Sequence, residues 1–86
     1  RYYIRSNRES GDGRFDLVLE PKIRSLPGII MEFKAVKEEE DLSDRAQDAL
    51  RQIDTKHYDT DLLDRGIHDI VKYGIAFAGK KVEIAM

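Results

Sequence analysis

The apolar and polar residues of this chain alternate with a strand-like period at both ends and a helical period in the middle. From Arg14 to Glu20 the period is two: Phe15, Leu17 and Leu19 fall on one face, and Arg14, Asp16, Val18 and Glu20 on the other. Ahead of this predicted strand, Tyr2, Tyr3 and Ile4 favour β structure. Ser6 to Gly13 carries turn chemistry, with Gly11-Asp12-Gly13 the expected hairpin turn. Pro21 to Gly28 holds both prolines and reads as a loop. A further strand is predicted from Gly28 to about Val36. There Ile29, Met31, Phe33 and Ala35 share one face, and Ile30, Glu32, Lys34 and Val36 share the other. Both faces are mainly apolar, which predicts a central strand covered on both sides.

Lys37 to Asp41 is a mixed-sign charge run and reads as a solvated connection. The period then lengthens. Leu42, Ala46, Ala49, Leu50 and Ile53 recur at spacings of three and four, predicting an amphipathic helix from about Ser43 to His57 with Asp41 or Ser43 as its N-cap. A short second helix is expected from about Thr60, ending at Gly66. Ile67 to Ala78 returns to strand character, Gly79-Lys80-Lys81 turns the chain, and Val82 to Met86 forms a last strand. Strands, two helices and strands again predict an α/β fold, a mixed central sheet flanked by helices.

With 86 residues, this is one small domain. No apolar run approaches the roughly 20 residues of a membrane span, and no cationic leader opens the chain, so a cytoplasmic location without membrane contact is expected. Cysteine is absent, which excludes disulfides, thiolate metal sites and cysteine nucleophiles. Because the first residue is Arg1 and not Met, the chain is expected to be a piece of a longer protein. Fifteen Lys and Arg against 17 Asp and Glu leave a formal charge of −2. A module gripping nucleic acid by charge alone is usually strongly basic. Contact with a phosphate backbone must therefore be local, metal-bridged, or helped by a region outside this sequence.

The charges inside the strands ask for an explanation, because a charge on a covered strand is expensive. Glu32 and Lys34 share a face, roughly 7 Å apart along the strand. If the strands of Asp16 and Glu32 pair, the two carboxylates can lie side by side. They then repel unless a proton or cation sits between them. Oxygen ligands of this kind suit Mg²⁺, which is commonly held by one or two carboxylates. A lysine alongside can orient a water nucleophile or steady developing negative charge.

Asp16 followed by Glu32-x-Lys34 in an apolar strand resembles the PD-(D/E)XK nuclease superfamily. Three blocks sharpen the resemblance: Gly11 to Leu17, Met31 to Ala35, and Gln52-Ile53 through Lys56-x-Tyr58. They look like the nuclease-like domain at the C-terminus of bacterial proteins that begin with an AAA-type ATPase domain. The closing stretch Tyr73 to Val82 also fits, so the resemblance spans nearly the whole chain as a single domain, 1–86.

The resemblance implies a restriction-endonuclease-like core in which Asp16 and Glu32 hold Mg²⁺, for which Mn²⁺ substitutes, with the Phe33 backbone carbonyl as a third ligand. Lys34 would be the catalytic lysine and Gln52 a polar residue facing the site. Lys56, one turn from Gln52, would touch phosphate, as would Arg14 more weakly. Glu9 is a further acidic candidate. In many relatives that residue comes from a helix before the first strand, and only about eight residues precede Glu9 here. The blander readings are an ion pair between Glu32 and Lys34, an edge charge at Asp16 and ordinary packing for Tyr58. His57 and His68 lack a close metal-ligating spacing, and Lys80 and Lys81 read as a solvated hairpin. No Walker loop, dinucleotide glycine pattern or Ser-His-Asp arrangement is present.

The function these residues point to is metal-dependent hydrolysis of phosphodiester bonds in nucleic acid, with DNA the expected substrate. The alternative is a catalytically inactive nuclease-like module that binds nucleic acid or docks on an upstream ATPase domain. A purely structural domain that docks the ATPase or dimerises is a third reading. A homodimer also suits the first, since cutting two strands often takes two copies of such a site.

Overall fold

A computed structural model describes residues 1–9, 13–37 and 41–86, the side chains of residues 8 and 9 excepted. The expected turn at Gly11-Asp12-Gly13 and the middle of the 37–41 charge run lie mostly outside these residues. Five strands, β1 (Tyr2–Glu9), β2 (Arg14–Pro21), β3 (Gly28–Ala35), β4 (Ile70–Ala78) and β5 (Lys81–Ala85), form one sheet in the order β1-β2-β3-β4-β5. All neighbours are antiparallel except β3 and β4, which run parallel. A parallel pair needs a long crossover. Here α1 (Leu42–Lys56) and α2 (Tyr58–Asp64) supply it. The mixed α/β sheet expected from the sequence is therefore present.

Helix α1 starts where Asp41 caps it, its side chain accepting a hydrogen bond from the Asp44 amide at 3.2 Å. Ala46, Ala49 and Ile53 form its buried stripe. Against β4 this stripe packs through small residues. Ala46, Ala76 and Ala85 form one cluster, and at Gly74 a Cβ would lie 2.3 Å from the Ala46 carbonyl oxygen and 2.4 Å from the Leu50 amide nitrogen. Gly74 therefore sets how closely the helix approaches the sheet. The larger core residues, Val18, Ile30, Ile53, Leu62 and Ile67, cluster nearer to β2 and β3.

Four expectations change. Strand β1 runs on to Glu9, through residues read as a turn, because each of its residues finds a partner in β2. Helix α2 starts at Tyr58 and not near Thr60, since His57 in a left-handed conformation (φ 58°) ends α1 and opens α2 directly. Strand β4 begins at Ile70 and not Ile67. The Ile67 amide instead bonds the Leu62 carbonyl at 3.0 Å and the Gly66 amide bonds the Leu63 carbonyl at 2.9 Å, a helix-ending pattern with Gly66 at φ 85°. Finally, β3 is central but covered on one face only. Both helices lie on the face of Asp16, Ile30 and Glu32. Among the described residues no element packs on the opposite face of Phe15, Met31, Phe33, Tyr73 and Ile75. On that open face Phe15 and Phe33 stack, ring centroids 4.5 Å apart.

Candidate active site

Register brings the predicted carboxylates together. Asn7, Asp16, Glu32 and Gly74 fall in one row across β1 to β4, since Asn7 faces Asp16, Asp16 faces Glu32 and Glu32 faces Gly74. Side chains in such a row point to the same side of the sheet, here the helix side. Because the Gly74 position lies under α1, Glu32 and Asp16 come to rest beneath the helix end, each 1% exposed. Two buried carboxylates side by side demand compensation.

Lys56, the last residue of α1, supplies it. Its Nζ donates to Asp16 Oδ2 at 3.0 Å and to Glu32 Oε1 and Oε2 at 3.1 and 3.2 Å. The left-handed turn at His57 then places Tyr58 on the same site. The Tyr58 hydroxyl donates to Asp16 Oδ2 at 3.1 Å, and Asn7 Nδ2 donates to the Tyr58 hydroxyl at 3.0 Å. Burial, opposed by the hydrogen bond from Asn7 and reinforced by the Asp16 charge, holds the Tyr58 phenol above its ordinary value. A cleft of about 280 Å³ lined by Arg5, Asn7, Val18, Tyr58 and Asp61 opens beside this network.

One atom is left over. Asp16 Oδ1 is buried with no hydrogen-bond partner, an arrangement that costs free energy unless something else reaches it. Both carboxylates share the one Lys56 ammonium. Among the described residues no three Asp, Glu, His or Cys come together, so the side-chain donors of the site are its two carboxylates. That is the hard-oxygen donor set of an ion that keeps much of its own water, as Mg²⁺ does. The residues fit such an ion.

The other candidates are placed differently. Lys34 shares the helix-side face with Glu32 and is half-buried, opposite Arg14 on β2 and Ala76 on β4. Its charge is felt by Asp48 of α1, whose carboxyl is held low by its hydrogen bond from Arg51, with Arg45 and Lys34 adding to the effect. Arg14 lies half-buried on the same face, one pleat from Asp16. Gln52 is half-buried one turn before Lys56, and among the described residues its side chain makes no hydrogen bond to the carboxylates. Phe33 turns its ring to the open face and keeps its backbone in the sheet. Glu9 pairs with Arg14 at the end of β1, and its side chain lies outside the described residues.

Sequence reading missed Asn7, which sat in a presumed turn, and assigned Lys56 to phosphate and Tyr58 to packing. Extending the β1–β2 pairing as far as Glu9 would have put Asn7 opposite Asp16. The tie between Lys56 and Tyr58 rests on the αL turn at His57, for which the sequence carries no glycine signal.

No curated protein and no solved structure matches the chain. A family model described as the PD-(D/E)XK nuclease superfamily matches residues 1–86, the whole length. The mixed sheet and the crossover helices agree with that match, and the chain belongs to the PD-(D/E)XK nuclease superfamily.

Proposed function

We propose that this domain hydrolyses phosphodiester bonds of nucleic acid, with DNA as substrate, and that Asp16 and Glu32 hold a divalent cation, Mg²⁺ in the first instance, with Mn²⁺ as a substitute. The observation that carries this reading is the buried, register-paired Asp16 and Glu32, with Asp16 Oδ1 buried and unpartnered. When bound, such an ion polarises the phosphodiester and makes a water more acidic. The chain's own residues do the rest. Asp16 and Glu32, with the Phe33 carbonyl as a third oxygen, fix where the charge sits. Tyr58 holds Asp16 Oδ2, so that Oδ1 keeps its direction. Lys34, one pleat from Glu32 on the same face, orients the attacking water and steadies the charge that develops on it. Gln52 approaches the site from the helix, and Arg14 with Lys56 offers cations to substrate phosphate. We assign Glu9 as an accessory acid.

In this reading residues 1–86 are one nuclease-like domain of a longer, cytoplasmic bacterial protein, joined to an upstream AAA-type ATPase domain, and a homodimer would serve double-strand cutting. No helix of the described residues is long and apolar enough to cross a membrane. The test is cleavage of linear, supercoiled and single-stranded DNA in Mg²⁺ by the wild type, Glu32→Gln and Lys34→Ala, alongside Mn²⁺ broadening of NMR signals. Localised broadening at Asp16, Glu32 and Phe33 that Glu32→Gln weakens, with cleavage lost by more than about a hundredfold in both variants, is the expected result. Absence of localised broadening overturns the metal site. Metal binding without cleavage leaves the second reading, a docking module on the ATPase, which the pairing of both carboxylates by Lys56 favours.

A further inference from the structure

We infer that the Lys56 ammonium is a resident cation of the carboxylate pair that leaves when a divalent ion enters, so that Lys56 sets the metal affinity of the site. The inference rests on the metal-holding reading of Asp16 and Glu32 given above. Three of the four carboxylate oxygens accept from one Nζ atom, at 3.0, 3.1 and 3.2 Å. An ion bridging Asp16 and Glu32 must draw on at least one Glu32 oxygen, and Lys56 holds both of them. Two cations drawing on the same oxygens repel at short range in a poorly screened place, so they exclude one another.

The placement of Lys56 suits departure. It is the last residue of α1, and its side chain keeps 19% exposure while both carboxylates keep only 1%. Its four-carbon stem can therefore withdraw the ammonium toward water by rotation, with the helix staying in place. What remains keeps its shape. Tyr58 still donates to Asp16 Oδ2 and Asn7 still donates to Tyr58. Asp16 Oδ1 takes no hydrogen bond from the lysine and gains a partner only on exchange. Lys56 thus keeps two like charges paired and preformed without metal, at the cost of competing with it.

The test has two arms. In the wild-type chain labelled with ¹⁵N at lysine side chains, Mg²⁺ is titrated while the Lys56 ammonium resonance, assigned by its absence in Lys56→Gln, is followed. The expected result is loss of the resonance through solvent exchange, with the midpoint of metal binding. Retention of an unchanged, protected resonance at saturating Mg²⁺ overturns the exchange while leaving the metal reading intact. In the second arm free Mn²⁺ is counted by electron paramagnetic resonance over wild type and Lys56→Met. A gain of about tenfold or more in affinity is expected, the worth of a competing charge-assisted hydrogen bond. Equal or weaker binding by a folded variant overturns the inference. If Lys56→Met does not fold, the first arm decides on the wild type alone. Failure of the wild type and any folded variant to bind either ion overturns the metal reading and this inference with it.

Discussion

Asp16, Glu32 and Lys56 form a set whose members contribute unequally to stability. Removing the ammonium takes away the cation that bridges two buried carboxylates, whereas removing one carboxylate also removes their mutual repulsion. Lys56→Met is therefore expected to lower the unfolding free energy by about 3 kcal/mol or more. Asp16→Asn should change it by less than about 1 kcal/mol, since lost attraction and relieved repulsion offset. Urea unfolding in EDTA measures both, and equal destabilisation by the two would contradict the arrangement. Tyr58 carries a second expectation. Its raised phenol pKa means the folded state favours the protonated form. That contribution is complete below the unfolded value near 10.0 and is lost as pH rises through the higher folded value. An ultraviolet titration should show a late-ionising tyrosine phase, and Tyr58→Phe should remove it.

Among the elements, α1 and β4 depend on one missing side chain. A Cβ at position 74 would meet backbone atoms of Ala46 and Leu50 at 2.3 to 2.9 Å, and backbone cannot rotate away. Gly74→Ala is expected to cost about 3 kcal/mol, at the upper end of overpacking effects, and to lower the melting temperature by more than about 12 °C in a domain of this size. Calorimetry checks the shift. Because Gly74 lies beside Glu32 in the sheet row, the same substitution should lift the helix end that carries Lys56, visible as a change in the Lys56 ammonium resonance. The second join, at His57, explains why two helices with different axes act on one acid. The αL residue turns the chain within a single position, so Lys56 and Tyr58 both reach Asp16 Oδ2.

At the scale of the whole molecule, charge and coverage matter most. A formal charge of −2 gives little general attraction for a polyanion. Nucleic-acid binding is therefore expected to depend on divalent ions. Fluorescence anisotropy with a labelled duplex should show affinity at least about tenfold tighter in Mg²⁺ than in EDTA at equal ionic strength, and Glu32→Gln should narrow that difference. Both helices shield the helix-side face while the face of Phe15 and Phe33 is left to its own side chains. Sequence reading took the apolar residues on both sides of β3 as cover on both sides. Strand alternation reports how apolar a face is. It does not report what packs there.

Local pattern by itself determined the strands around Asp16 and Glu32, the helix from Leu42 onward, and the shared face of Glu32 and Lys34, since alternation and helical spacing are properties of neighbouring residues. It also exposed the two acids, because a charge in an apolar strand stands out against its flanks. Only the tertiary structure decided the companions of those acids. Asn7, Lys56 and Tyr58 come from 51, 40 and 42 positions away from the partners they bond, and their meeting depends on the register of β1, the approach allowed by Gly74 and the turn at His57. Only the first is set near Asp16, by the β1–β2 hairpin; Gly74 and His57 lie far from it in the chain. The separation is physical: which way a side chain points is fixed within a few bonds, whereas which charge lies against it is fixed by how distant elements pack.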